Sequence, residues 1–156
     1  MTIATLPTRA ASLNYMSFSG RIEPADFNDL LTLYASDGGV RARHDKLLVF
    51  QPDVDLSALT DDVLASILTR LLTVTSQARK SLIVRTALVC LAPAQSAVLD
   101  RWRTLVDGQR GMLTEIAAFD AVQSAAVWIG LTADETDDIV QHQTAPAAVV
   151  VAAIAR

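Results

Sequence analysis

The 156-residue sequence contains one cysteine, no long apolar run and no excess of basic residues. The single cysteine, Cys90, excludes an internal disulfide and suits a reducing compartment. No apolar stretch reaches the roughly 20 residues that a membrane-spanning helix needs. The N-terminus has no basic segment followed by a long apolar run, so we expect no secretory signal and a cytoplasmic protein.

The net charge of −4 argues against a nucleic-acid-binding protein, because such proteins neutralise phosphates with a basic surface. Instead, 51% of the residues are apolar and only 19% are charged, a balance typical of a compact globular chain. The length suits one domain with a single sizeable core. We therefore expect one domain over residues 1–131, which residues 132–156 extend as a C-terminal helix and an apolar tail.

The hydrophobic pattern alternates between strand and helix periods along the chain. Short apolar or alternating runs predict strands at Thr2–Leu6, Leu13–Ser19, Lys46–Phe50, Leu82–Leu91 and Met112–Phe119. Helical spacing predicts helices over Pro24–Ser36, from Thr60 onward, from Ala97 or Val98 to Val106, from Asp120 onward and from Thr132 onward. The order β-β-α-β-α-β-α-β-α predicts an α/β fold with parallel crossovers and a C-terminal extension.

Three short motifs mark where the helices begin or end. Asp37-Gly38-Gly39 follows the first helix, and glycine is free to adopt the backbone conformation that ends a helix. Asp120 to Gln123 and Thr132 to Glu135 have the spacing of capping boxes. Each of these two capping boxes therefore predicts a helix that begins beside it.

Four segments carry a resemblance to a known family: FSGRIEPADFNDLL, LLVFQPDVDLSALT, VRTALVCLAPAQSAVLDRWRTL and EIAAFDAVQSAAVWIGL. Together they resemble the SpoIIAA-like fold of anti-sigma-factor antagonist (STAS) domains and some small bacterial relatives, over Leu13 to Leu131. The resemblance implies a mixed, largely parallel sheet of about five strands with helices packed on it. It also implies a regulatory, non-enzymatic module that acts through protein contacts.

One departure from the family concerns phosphorylation. Kinase-switched relatives carry a serine at the start of the helix after the DLS-type loop, usually after an aspartate. Here Asp61 and Asp62 stand at that place, and no serine follows until Ser66. A phosphate beside two carboxylates would be repelled. Ser57 and Thr60 remain candidate acceptors, but helix capping is the simpler use of both residue types.

The same loop contains the densest acidic cluster of the chain, and it would lie where open α/β sheets bind ligands. We take it as a candidate partner-binding or regulatory surface, formed by Asp53, Asp55, Ser57, Thr60, Asp61 and Asp62. A divalent cation would also prefer such oxygens. However, no EF-hand glycine or nearby histidine accompanies them, and ordinary loop and capping roles explain them more simply.

No other motif indicates an active site. His44 and His142 are too isolated for metal-ligand spacing. Cys90 lies in an apolar run without a visible base, which predicts a buried, inert thiol in mid-strand. Trp102 and Trp128 fall in predicted helices and are expected in the core or at its edge. We therefore expect no catalytic residues, no metal and no cofactor.

The apolar segment Ala145–Ile154 cannot lie in water without cost. It could add a strand to a sheet edge, fold back on its own domain, or lie across a neighbouring subunit, as in an exchange between two copies of a symmetric homodimer. Three functions follow as hypotheses: a non-enzymatic protein-contact module, a binder of a small apolar ligand or lipid in a pocket beneath the helices, and a metal-dependent enzyme that uses the acidic loop.

Overall fold

The computed structural model describes residues 2–6, 13–36, 44–76, 83–107, 109 and 114–143. The strands are β1 (Thr2–Leu6), β2 (Leu13–Ser19), β3 (Asp45–Phe50), β4 (Val84–Cys90) and β5 (Thr114–Phe119). The helices are α1 (Pro24–Ser36), α2 (Asp61–Ser76), α3 (Ser96–Asp107), α4 (Val122–Ile129) and α5 (Ala133–Gln143), and a short 3-10 helix, Pro93–Gln95, precedes α3. The predicted α/β class is confirmed.

The sheet follows chain order, β1-β2-β3-β4-β5. Strands β2 to β5 are parallel, and β1 pairs antiparallel with β2. Each crossover helix, α1 to α3, joins two neighbouring parallel strands. Because right-handed crossovers that always advance in one direction keep to one side of a sheet, these three helices share a face.

The strands bury both faces. In β2, Met16 and Phe18 belong to a core with α1, α2 and α3, whereas Leu13 and Tyr15 belong to a second core with α4 and α5. We call these the three-helix face and the two-helix face. Successive core residues of β2 thus alternate between the two faces, and β3 is likewise buried on both sides.

Aromatic rings fill the three-helix face beneath α1. Phe18 and Phe50 stack with ring centroids 4.7 Å apart and planes within 9° of parallel. Phe27 of α1 continues the stack 6.4 Å from Phe18. The arrangement fixes the start of α1 above the carboxyl ends of β2 and β3, next to the loops that follow these strands.

On the two-helix face, α4 packs mainly on β4 and contacts α5. Gly130 ends α4 with a φ of 90°, a conformation that side chains other than glycine rarely adopt. Arg85 of β4 holds this end of the helix, since its guanidinium donates to the Trp128 carbonyl at 3.2 Å and pairs with Asp45 at 3.3 Å. Ile139 of α5 is buried in the same core.

The two predicted capping boxes have opposite outcomes. At Thr132 the prediction is confirmed, because the Glu135 carboxylate accepts from the Thr132 N–H at 2.9 Å and Thr132 Oγ1 accepts from the Glu135 N–H at 3.3 Å. At Asp120 the prediction is wrong: Ala121 is the N-cap, in extended backbone, and no side chain bonds there. The helix begins at Val122, which leaves Asp120 outside its first turn.

The interpretation of Cys90 as a mid-strand buried thiol is also wrong, because Cys90 ends β4 and is half-buried. The predicted features at Asp37–Gly39 and Ala145–Ile154 lie outside the described residues. In the part of the chain that the structure describes, no helix has both the length and the apolar character to cross a membrane.

Candidate functional site

The loop that follows β3, residues 51–60, is paired to its neighbours through the backbone. The Gln51 N–H donates to the Phe18 carbonyl at the end of β2. Asp55 then forms a parallel bridge with Arg21: the Asp55 N–H donates to the Gly20 carbonyl, and the Ile22 N–H donates to the Asp55 carbonyl, each at 2.9 Å. The loop therefore extends the sheet pairing beyond the ends of the strands.

Apolar side chains anchor the same loop from below. Leu56 is fully buried, and Val54 and Leu59 are nearly so. The Leu56 N–H donates to Gln95 Oε1, at 3.2 Å, in the 3-10 helix after β4. The loop is thus bonded to both the segment after β2 and the segment after β4, which gives its outward side chains a fixed backbone.

Asp55 turns the chain at the middle of the loop. Its Oδ1 accepts from the Ser57 N–H at 2.9 Å, which closes an Asx turn. This backbone bond, followed by a bond from the Ser57 side chain and the charge of Arg21, lowers the pKa of Asp55. Asp55 and Ser57 therefore form one local turn, and the predicted capping role of Ser57 is wrong, because α2 begins at Asp61 and is capped by Thr60.

Thr60 and Asp61 begin α2. The Thr60 hydroxyl accepts from the Val63 N–H at 3.4 Å, and the Thr60 carbonyl accepts from the Leu64 N–H at 2.9 Å. The sequence-based capping role of Thr60 is therefore confirmed. Asp61 pairs with Arg101 of α3 at 3.2 Å, between side chains that are both well exposed.

The predicted six-residue surface thus lies together on one loop and the first turn of α2. We call this set Asp53, Asp55, Ser57, Thr60, Asp61 and Asp62 the acidic edge. All of its members except the partly exposed Asp55 are exposed. Among the described residues no group of three His, Cys, Asp or Glu side chains forms a cation site. Geometrically, the acidic edge can offer negative charge on a rigid frame to a basic surface.

Lys46 is the residue that sequence reasoning missed. It lies at the opposite, amino end of β3 and is only 9% exposed. Its Nζ donates to the His44 carbonyl at 2.9 Å and lies 6.0 Å from the centre of the Tyr34 ring. Burial lowers its pKa to about 8, against a smaller opposing effect of the Asp45 charge.

The negative charge of Asp45 is not reserved for Lys46, because Asp45 also bonds to Arg85. Its Oδ1 accepts from the Arg85 N–H at 2.8 Å, and its Oδ2 accepts from the Arg85 guanidinium at 3.3 Å. The only signal of a buried cation in the sequence was a lysine at the first position of the predicted strand Lys46–Phe50. A strongly shifted pKa is common at functional positions, so Lys46 is a second place of interest.

The other sequence candidates are accounted for locally. The Cys90 thiol donates to the Ala92 carbonyl at 3.1 Å. Trp102 and Trp128 are both half-buried, at the edges of the two cores. Comparison of the chain with protein-family models, with curated proteins and with solved structures gives no match.

Proposed function

We propose that this chain is a non-enzymatic, SpoIIAA/STAS-like module that acts through protein contacts, with the acidic edge as its docking surface. The element order β-β-α-β-α-β-α-β-α supports this proposal. The main support is the acidic edge itself: an exposed set of carboxylates and hydroxyls on a loop bonded to both neighbouring segments. A preformed surface of this kind loses little conformational entropy on binding.

The partner has a basic surface in this proposal. Asp53 and Asp62 are exposed and have no role in the loop's own hydrogen bonds as described above, so their charge is available for steering. Ser57 and Thr60 already serve the Asx turn and the α2 cap. We therefore propose docking by charge and shape, without a phosphorylation switch in this loop.

The test uses the products of genes adjacent to this one as candidate partners, with binding measured by calorimetry at low and moderate salt. We expect Asp53→Asn with Asp62→Asn to weaken binding about tenfold and to reduce its salt dependence. The matched control is Asp134→Asn with Asp137→Asn on α5, which removes the same charge elsewhere. Equal affinity of both double variants and the wild type would contradict the acidic edge as the docking surface.

Two other hypotheses stay predictions. A pocket for a small apolar ligand or lipid beneath the helices is tested by native mass spectrometry of protein purified from cells, in which a bound lipid adds a discrete mass. A metal-dependent enzyme that uses the acidic edge is tested by elemental analysis and by melting in chelator. The homodimer through the apolar segment Ala145–Ile154 is a third such prediction, and its residues lie outside the described part.

A further inference from the structure

The middle of β3 is less completely covered on the three-helix face than the strands on either side of it. In the strand register Leu48 lies between Met16 of β2 and Leu88 of β4, and paired residues share a face of the sheet. Met16 and Leu88 are only 2% and 1% exposed, whereas Leu48 is partly exposed. A partly exposed side chain at the centre of a five-stranded sheet indicates a gap in the helix layer above it.

The inward side of α2 shows the same change in burial along its length. Spacings of three or four residues place Leu64, Leu68, Leu71 and Thr75 on one side of the helix. Leu64 and Leu68 are each 3% exposed, but Leu71 and Thr75 are only partly buried. Because α2 runs from the carboxyl ends of the strands back to their amino ends, Leu71 comes above the middle of the sheet, where Leu48 lies. We call the space bordered by Leu48 and Leu71 the helix–sheet gap.

The chain topology places the helix–sheet gap beneath the seam between two helices. Since α1 joins β2 to β3 and α2 joins β3 to β4, the middle of β3 lies below the line where α1 and α2 meet. These two helices pack on each other, whereas α3 packs closely on β5. Toward the carboxyl ends, the stacked rings of Phe18, Phe27 and Phe50 fill the space under the seam. Toward the amino ends, β3 contributes only Leu48 and Lys46 to this face.

Lys46 brings a positive charge to the amino end of the helix–sheet gap. It precedes Leu48 by two positions, so both side chains point to the same face, while Asp45 points to the opposite one. On the three-helix face of β2 to β5, as the structure describes these strands, Lys46 is the one charged residue. Its Nζ lies 6.0 Å from the centre of the Tyr34 ring. Little water screens a buried ammonium group, so its attraction for an anion beside it is strong.

The dimensions of the helix–sheet gap limit what can enter it. Successive strand residues are about 3.3 Å apart, so roughly 13 Å separates Lys46 from Phe50, where the aromatic stack closes the space. Leu48 and Leu71 make its sides apolar. A ligand that fits is therefore short and narrow, apolar along its length and negative at one end.

We propose that the helix–sheet gap binds a small aliphatic carboxylate, whose chain lies between Leu48 and Leu71 and whose carboxylate meets the Lys46 ammonium group. The chain gains free energy by leaving water, and the lysine offsets the cost of desolvating the carboxylate. A neutral chain of the same length gains only the first contribution, and a cationic chain is repelled. This proposal gives a chemical class to the hypothesis of an apolar ligand beneath the helices, and it does not depend on the acidic edge.

The first test asks whether the helix–sheet gap exists, without any ligand. Leu48→Phe and Leu88→Phe add the same volume at paired positions on one face of the sheet. Extra volume strains a well-packed core, so Leu88→Phe should lower the melting temperature of the full chain by about 5 °C or more. Leu48→Phe should change it little, because the ring enters the gap. Equal losses for the two variants would overturn the proposal.

The second test measures binding of octanoate to the full chain by calorimetry, with octanol as the uncharged match. We expect the wild type to bind octanoate at least about tenfold more tightly than octanol, and Lys46→Met to abolish this preference. Leu48→Phe should weaken the binding of both compounds, because it occupies the space of the chain. No detectable binding of octanoate at roughly 1 mM, or equal octanoate affinity of the wild type and Lys46→Met, would refute the proposed site.

Two surface controls separate this site from general charge attraction and from the acidic edge. Arg70→Gln removes an exposed cation from α2 and should leave the octanoate affinity unchanged at physiological ionic strength. A loss as large as that of Lys46→Met would mean that octanoate follows net charge, which contradicts the proposal. Asp53→Asn with Asp62→Asn should also bind octanoate like the wild type, so a failure of protein docking and a failure of this site are seen in different measurements.

Discussion

At the carboxyl ends of the parallel strands four aspartates stay in contact with water, whereas at the amino ends one lysine is buried. The loop that carries most of the acidic edge is held by backbone bonds and buried apolar side chains, to which the Asp55 carboxylate adds one bond from the Ser57 N–H. Lys46 instead gives up most of its hydration, and its pKa falls accordingly. A dense cluster of charges can thus have little effect on stability, while a single charge has a large one.

The acidic edge and the surroundings of Lys46 differ because different interactions stabilise the two regions. At the acidic edge, stability comes from Leu56 and the backbone pairs beneath it, and the exposed Asp53 and Asp62 take no part in those contacts. At the amino edge, the charge itself lies inside the core, next to Thr86 on β4 and Asn14 on β2 in the strand register. Substitutions that separate apolar anchoring from charge should therefore have very different effects at the two edges.

The largest effect is expected for Leu56→Ala in the acidic edge's anchor. Leu56 is fully buried, and removing its side chain leaves a cavity beneath the loop. We expect a loss of about 2–5 kcal/mol in the free energy of unfolding, measured by urea denaturation. Val127→Ala, at a 75% exposed position, is the matched apolar truncation and should cost about 0.5 kcal/mol or less. Equal losses would mean that the loop is not anchored from below.

The next effect concerns Lys46 and pH. Its folded-state pKa, about 8, lies below the ordinary value of 10.5, so the unfolded chain binds the proton more tightly between these pH values. Stability contributed by this residue therefore rises with pH through the window and is lowest below pH 8. We expect the free energy of unfolding to rise by about 3 kcal/mol from pH 7 to 10.5 on account of Lys46.

Lys46→Met isolates this contribution, because other groups also titrate at alkaline pH. The variant keeps a long apolar side chain and removes the charge. We expect it to be more stable than the wild type at pH 7 and to lose the difference as pH approaches 10.5. Parallel pH profiles of the two proteins would show that Lys46 is not desolvated, and the contrast between the two edges would fail.

A structural feature could be predicted from the sequence when it depends on residues that are close together along the chain. Apolar periods within about ten residues predicted the α/β class, the dense run of aspartates predicted the acidic edge, and capping-residue types and spacing predicted the caps at Thr60 and Thr132. Each of these signals depends on neighbours along the chain. Burial of Lys46 depends on Tyr34 and on two flanking strands, which are distant in sequence. Asp120 had the right spacing for a cap, but the turn after β5 starts the helix one residue beyond Ala121.

A smaller effect is expected at the start of α2. Thr60→Ala removes the hydroxyl that accepts from the Val63 N–H, and we expect a loss of about 1 kcal/mol in the free energy of unfolding. Thr60→Ser keeps an acceptor at the same place and should restore most of it. The comparison separates capping from a signalling role, since a residue kept only for modification would show no stability loss on removal of its hydroxyl.

The smallest effect is expected for the ion pair between Asp61 and Arg101, because both side chains are largely exposed and water screens their attraction. In a double-mutant cycle with Asp61→Asn and Arg101→Gln, we expect a coupling energy of about 0.5 kcal/mol or less, falling further in 0.5 M salt. A coupling above about 1 kcal/mol would mean that Asp61 is held by the fold as Lys46 is, and is not free to meet a partner. A near-zero value leaves the charge of Asp61 available for binding, as docking by electrostatic attraction requires.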